Sequence, residues 1–454
     1  MNTKKLIRIC CLFFTGALFS QCSKLEEKAY SQITNEKFFG SLKDVNAALT
    51  GMYRPMQDCC GGYGQAGMFI LNGTSDEGTG ADFWGTFDRL DYSASSSNEI
   101  QDWWVASYQA IAGANLIIDN QAKIEAVDNT NGKTLAKAAI GEAKFWRALN
   151  YFQLVQMYGG VPLRLTQVKR ADDVNIPRNT VEECYTQIIK DFKDAELVLL
   201  AAPGTAKVSK WSASAFLSKV YITQKDYPGA LAKASEVISS GPYRLAPTFA
   251  DVFDIAKENG PEDIFAIQHI RVDRQGTRIE PLSAWGIIGV EPNLYPKYVS
   301  GDTRKNTTFK IPSDPASSQG KWLDPLAVSG DGAANNFIVF RFADLLLIKA
   351  EAENEINGAT ASAYTEINKV RSRAGLTNLT AGLTKDQFRD SIIKERNLEL
   401  ALEEVRWFDL KRTGKLKSTL IATGRTWNDK YYLFPIPQAE VDATNGIITQ
   451  NPGY

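Results

Sequence analysis

The sequence predicts a mainly α-helical protein, a tetratricopeptide-like helical repeat scaffold with a loop-rich, mixed second lobe. Three observations predict it. Apolar residues recur at helical spacing across two regions, roughly 41–240 and 337–413. Within the first, residues 211–242 reproduce a tetratricopeptide unit. Tyr221, Asp226-Tyr227, Ala230, Ala234, Val237 and Pro242 fall where that repeat places its Tyr, its turn, its small residues, an apolar residue and its closing Pro. Residues 243–336, by contrast, are rich in Gly, Pro, Ser, Asp and Asn and carry only short apolar runs.

Residues 1–21 form a targeting segment. Lys4, Lys5 and Arg8 precede the apolar run Ile9–Phe19, which has the length of a signal-peptide core rather than of a membrane span. The run ends at Ser20-Gln21-Cys22, so Cys22 is the expected lipidation residue; Phe19 and Gln21 depart from the Leu and small residue usual at those places. Residues 22–242 form an N-terminal helical repeat region, interrupted at 58–102 by a Gly- and Ser-rich loop insertion. In the 211–242 unit the small residues let two antiparallel helices pack closely, and Pro242 stops the second. Residues 243–336 form the loop-rich ligand-side lobe, with Asp263–Gln268 as one of its short strands. Further repeat helices occupy 337–413, broken at Asn357-Gly358. Residues 414–454, with Pro435, Pro437 and Pro452, read as an extended closing segment over that lobe.

The composition is ordinary for a globular chain, 44% hydrophobic and 23% charged, with a net charge of −1. The three cations of the leader leave the remainder more acidic still, so there is no electrostatic footprint for nucleic acid. Of six cysteines, Cys10 and Cys11 lie in the leader and Cys22 is the anchor. The remaining Cys59, Cys60 and Cys184 make no disulfide framework. Cys59 and Cys60 read as neighbouring thiols, and Cys184 as a core residue.

The stretch from Glu395 to Arg412 carries the densest pattern. Glu395, Glu399 and Glu403 follow at four-residue spacing, which a continuous helix would align on one face, with Leu398, Leu402 and Val405 as its apolar stripe. This reads as an amphipathic helix whose carboxylates pair with Arg and Lys. The segment also resembles the C-terminal signature of the SusD/RagB family of surface lipoproteins, ER-x-x-EL-x-x-E-x-x-RW-x-DL-x-R. The resemblance extends over nearly the whole chain. It includes Tyr30-Ser-Gln-Ile-Thr, Phe38-Phe39, Ala47 to Tyr53, Phe145 to Tyr151 with Tyr158-Gly-Gly-Val-Pro162, and Arg341 to Asp344 with Ala350-Glu351-Ala352. Asn368 to Arg371, Phe434 to Gln438 and Gln450 to Tyr454 complete it.

The resemblance implies an outer-membrane, surface-exposed, lipid-anchored protein. It implies capture of an oligo- or polysaccharide and delivery to a SusC-like TonB-dependent transporter, with no cofactor and no covalent chemistry. Ser23 to Glu27 resembles the acidic tag that sends Bacteroidetes lipoproteins to the cell surface. Two other classes stand beside this reading. One is peptide capture by the same architecture. The other is an enzyme acting on glycans through paired carboxylates such as Glu399 and Glu403. A pure repeat scaffold is the least specific option.

Little in the sequence supports catalysis. His269, the sole histidine, lies in an apolar run and reads as core, which leaves no His-based metal cluster and no Ser-His-Asp set. Gly62 to Gly67 has dinucleotide-fingerprint spacing but lacks a preceding strand, and reads as a loop. Asp76-Glu77 alone does not specify calcium. The positive signal is aromatic. Trp84, Trp285 and Trp322 lie in turn-rich loops, and sugar rings present an apolar C–H face that stacks on indole while nearby polar groups bond the rim hydroxyls. The candidate ligand residues are therefore Trp84 with Asp82 and Arg89, Trp285 with Tyr295, and Trp322. Trp103, Trp104, Trp146, Trp211 and Trp407 fall in helical patterns and read as structural.

Overall fold

In this computed structural model the described residues are 38–58, 61–63, 65–81, 85–170, 175–202, 206–271, 276, 286–314, 319–327 and 332–454. Cys22, Cys59 and Cys60 lie outside them.

Helices enter in the order α1 (Leu42–Gln57), α2 (Asn98–Asp119), α3 (Gln121–Val127), α4 (Thr134–Tyr158), α5 (Val181–Val198), α6 (Lys210–Thr223), α7 (Tyr227–Ser240) and α8 (Phe249–Phe253). After the loop-rich region come α9 (Lys305–Thr308), α10 (Phe342–Asn357), α11 (Ala361–Arg373), α12 (Lys385–Glu399), α13 (Arg406–Arg412), α14 (Leu416–Ala422) and α15 (Gln438–Ala443). The local reasons are readable. Ser41 and Asp44 close a capping box on α1, which buries Val45, Leu49, Met52 and Met56 along one face. Thr180 with Glu183 and Thr384 with Gln387 start α5 and α12 in the same way. Gly358, at φ 81°, ends α10 in a conformation that a side chain would strain.

The helices pack in an array, α1 on α2, α2 on α4, α4 on α5, α5 on α6, α6 on α7, α7 on α10, and α10 on α11 and α12. The α6–α7 pair is the expected repeat unit, with Ala230, Ala234 and Val237 buried in its interface. The first five residues of the expected 337–413 helical region are instead a strand. β4 (Phe337–Arg341) pairs antiparallel with β2 (Asp263–Ile267), and the fully buried run Phe-Ile-Val-Phe-Arg explains why a helix does not start sooner. Phe145, Phe192, Phe216, Phe265 and Phe340 cluster at 5.0–6.2 Å between ring centroids and join α4, α5 and α6 to this sheet. Each such burial is worth roughly 1.5–3 kcal/mol.

The Glu395–Arg412 segment is not one helix. α12 stops at Glu399, a turn spans Leu400 to Val405 with Leu402 and Glu404 at φ 65° and 59°, and α13 starts afresh. The turn is imposed from outside. Asn72 donates to the Leu402 carbonyl and accepts from the Glu404 N–H, and the Glu77 carboxylate accepts from the Leu402 N–H. The carboxylates still converge on cations. Arg304 binds Asp302, Glu395 and Glu399, while Arg341 binds Glu262, Glu399 and Glu403. Arg371, Arg373 and Lys321 complete the knot. A second knot joins Arg396 to Asp344 and Asp409, and Arg412 to Glu351.

Many described residues of the 58–102 insertion lie in turns and bends, yet most of the insertion's described residues are buried. Tyr63 and the π-helical turn Met68–Asn72 are in the core, and the polar turn Thr74 to Glu77 is buried with them. The described residues of the Gly62 to Gly67 fingerprint are thus packed into the core. The C-terminal segment has short helices and lies mainly against the N-terminal body. Phe434 N–H bonds the Met157 carbonyl, and Arg178 reaches Thr449 and Asn451. Among the described residues no helix is long and apolar enough to cross a membrane.

Candidate ligand-binding face

Two three-residue strands far apart in the sequence build the candidate face. β1 (Gly78–Gly80) pairs antiparallel with β3 (Ile288–Val290), in the register Gly78↔Val290, Thr79↔Gly289 and Gly80↔Ile288. Backbone bonds extend the ladder at both ends, from Ala81 N–H to the Ile287 carbonyl (3.0 Å) and from Glu291 N–H to the Glu77 carbonyl (2.8 Å). Gly289 is needed here, because a Cβ would lie 2.9 Å from the Thr79 methyl.

At its open end the ladder pairs Ala81 with Ile287, the described residues nearest in sequence to the foremost candidates. Asp82 and Trp84 follow Ala81 in the chain, and Trp285 precedes Ile287; all three lie outside the described residues. Arg89 is exposed and pairs with Asp91 at 3.2 Å, on the loop that returns from β1. Asp88 beside it accepts from the Thr79 hydroxyl at 2.7 Å.

The other aromatic candidates make internal contacts. Trp322 is not an exposed platform. It is 2% exposed, stacked on Phe337 at 5.0 Å and 19°, and met edge-on by Phe253 at 5.4 Å. The loop that holds it uses the indole to fill core volume, the ordinary fate of a large apolar side chain. Tyr295 is half-buried. Its hydroxyl donates to the Pro312 carbonyl, the Lys305 ammonium sits 3.6 Å from its ring centroid, and Phe309 packs at its edge. Its ring braces the lobe. Tyr298 is buried, donating to the Leu398 carbonyl.

The carboxylates offered for glycan chemistry are engaged elsewhere. Glu399 and Glu403 are buried, and both bind Arg341. Burial alone would raise the Glu399 pKa, but Arg373, Arg341 and Arg304 outweigh it and hold the group well below the usual carboxylate range. An ion-paired carboxylate with no exposure neither donates a proton to a glycosidic oxygen nor activates water. His269 is 4% exposed, and burial pushes its pKa down to about 4. Among the described residues no group of three or more His, Cys, Asp or Glu could hold a metal ion. A groove of about 590 Å³ runs along β2 between Lys207, Tyr243, Arg244 and Gln268 and is lined by none of the expected ligand residues.

Sequence reasoning missed the side chains that fasten the ladder. Arg425, Glu291 and Lys297 carry no local pattern, because their partners lie in remote segments. Lys297 binds Asp76 at 2.8 Å, and Arg406 binds the same carboxylate at 2.7 Å.

Comparison with known proteins gives consistent likenesses. A SusD-family model matches residues 317–454, and a model described as "Starch-binding associating with outer membrane" matches residues 25–222. SusD-like protein P2 of Formosa agariphila is 29% identical, over 95% of this chain and 97% of its own. A solved laminarin-binding SusD-like protein is 25% identical with a TM-score of 0.78, covering 91% of this chain and all of its own. Surface glycan-binding protein A from Bacteroides thetaiotaomicron, solved with laminarihexaose, has a TM-score of 0.74 at 22% identity. It covers 90% of this chain and 99% of its own.

Proposed function

The chain belongs to the SusD/RagB family, and from that premise we propose that it is a cell-surface glycan-binding lipoprotein of the outer membrane. It is anchored through Cys22 and passes oligo- or polysaccharide to a SusC-like TonB-dependent transporter. The observation that supports the reading most is the β1–β3 ladder, whose end pairs Ala81 with Ile287, three residues before Trp84 and two after Trp285 in a sequence that separates the two indoles by some 200 residues. Two indoles so tethered suit stacking on successive sugar units, with Asp82 and Arg89 as bonding partners for rim hydroxyls. Several weak contacts of this kind give affinity for a repeated unit and allow release to a second protein. The glycan-binding relatives and the ion-paired state of Glu399 and Glu403 support binding without chemistry.

Affinity electrophoresis tests this. The chain from Ser23 onward is run through gels containing laminarin, starch and a panel of other plant, host and microbial polysaccharides, beside Trp84→Ala and Trp285→Ala. Retardation by at least one glycan is expected, with each variant binding roughly thirtyfold more weakly, the equivalent of about 2 kcal/mol. No retardation by any glycan would overturn the reading and move weight to peptide ligands.

A further inference from the structure

We propose that Arg425 is the positioning residue of the ligand-binding face, the side chain that fixes the β1–β3 ladder on which that face is built. The proposal deepens the glycan-binding reading above, and it rests on that reading for its consequence on affinity.

A two-stranded ladder of three residue pairs is marginal in water by itself, and these strands are not joined by a tight turn. Loop closure over so long a chain costs entropy, and each added restraint matters. Arg425 supplies one from a third segment, just after α14. Its Nη1 donates to the Ser75 carbonyl, in the turn that leads into β1. Its Nε donates to Asp88 Oδ1 at 3.0 Å, and Nη2 binds the same oxygen, on the loop that returns from β1. Nη2 also lies 3.6 Å from Glu291 Oε2, the residue that follows β3. One guanidinium therefore touches the entry to β1, the return from it and the end of β3.

The chemistry requires an arginine. A planar fork of five donors can serve three acceptors in fixed directions, whereas a lysine ammonium is a point charge on a flexible stem. The Arg425 side chain is 6% exposed, so salt screens its ion pairs little. Asp88 is itself oriented by the Thr79 hydroxyl of β1. The chain thus runs from Arg425 through Asp88 to the central residue of the strand, and through Glu291 to its partner strand. On the other side of the same turn, Lys297 and Arg406 hold Asp76. Those contacts secure the turn to the scaffold; they do not reach the loop after β1. Among the described residues Arg425 is the cation with carboxylate partners on both strands' flanks.

The test separates this role from general stability and from the glycan reading. Hydrogen exchange is followed at the ladder-end amides of Ala81 and Glu291 and at amides inside α4, in the wild type, Arg425→Met, Arg425→Lys and Asp88→Asn. At least tenfold faster exchange at Ala81 and Glu291 is expected in Arg425→Met, with α4 unchanged. Arg425→Lys should restore little of the protection, and Asp88→Asn should show a smaller version of the same local loss. Where electrophoresis finds a retarding glycan, Arg425→Met should weaken it at least tenfold. Unchanged exchange at both amides would overturn the proposal whatever the ligand is, and so would a loosened ladder with unchanged glycan affinity. If no glycan binds the wild type, the binding reading fails and the exchange result still decides whether Arg425 holds the ladder. Should Arg425→Met fold poorly, Asp88→Asn alone carries the exchange comparison.

Discussion

Trp322 is sandwiched by the parallel ring of Phe337 and the edge of Phe253, and its depth makes it a support for the loop-rich lobe. Removing a fully buried indole leaves a cavity that packed neighbours cannot close, a cost of about 3–5 kcal/mol. Trp322→Ala should therefore lower the urea midpoint strongly while the surviving folded molecules bind ligand as the wild type does. A variant of unchanged stability and reduced affinity would return Trp322 to the binding face. The sequence cannot separate the two fates, since Gly320, Lys321 and Asp324 look like an exposed turn around any tryptophan. In the fold, Lys321 is itself buried against Glu403 at 2.6 Å, so the polar neighbours that signalled a surface loop are interior partners. Tyr295 differs, being half-buried, and the cation on its ring comes from Lys305 in the following helix α9.

At the scale of elements, the break between α12 and α13 places the signature side chains. Every residue from Leu398 to Glu404 favours helix by propensity, so local reading extends the helix through it. Tertiary bonds win: Asn72 and Glu77, from the first third of the chain, take over backbone groups that would otherwise bond within a helix. Asn72→Ala would leave a buried carbonyl at Leu402 and a buried N–H at Glu404 without partners. Each unmade bond costs about 1–3 kcal/mol, so a loss of about 2–6 kcal/mol in urea unfolding is expected. A loss below about half a kcal/mol would mean that the strained turn is held by something else. The α6–α7 pair shows the opposite case. Its contacts are local and small-residue driven, and the repeat spacing alone located both helices and their turn. The β1–β3 ladder was illegible because three-residue strands containing glycine carry no alternation, and only the aromatic loops beyond them drew attention to the region.

For the whole molecule, buried charge sets how the lobes stay joined across pH. Asp76, Asp344 and Glu399 are all buried, which alone would raise their pKa values, yet their Arg and Lys partners outweigh burial and hold them well below the carboxylate range. Such groups stabilise the fold above the unfolded-state carboxylate pKa, near 4, and that stability is lost as pH falls through and below it. Glu77 and Asp263 behave oppositely. Burial outweighs their favourable contacts and pushes each up to about 7, and burial also raises Glu404, whose carboxyl oxygens have no hydrogen-bond partner. Above about pH 4 the unfolded chain releases these protons while the folded chain keeps them, so stability declines from there up to the folded pKa. The urea midpoint should therefore peak near pH 5, falling on the acid side as the ion knots protonate and falling again toward pH 8. For Glu77 the second decline is worth about 3–4 kcal/mol at most, its shift multiplied by about 1.4 kcal/mol per pKa unit. Glu77→Gln carries no such proton, so whatever constant offset it introduces, its midpoint should vary less than that of the wild type between pH 5 and 8 and keep the acid limb. Equal slopes in that window for the two proteins would show that Glu77 is ionised in the fold, held charged by Asn397 and the Leu402 N–H. The decline would then have to come from Asp263 and Glu404, and Asp263→Asn is the variant that would flatten it.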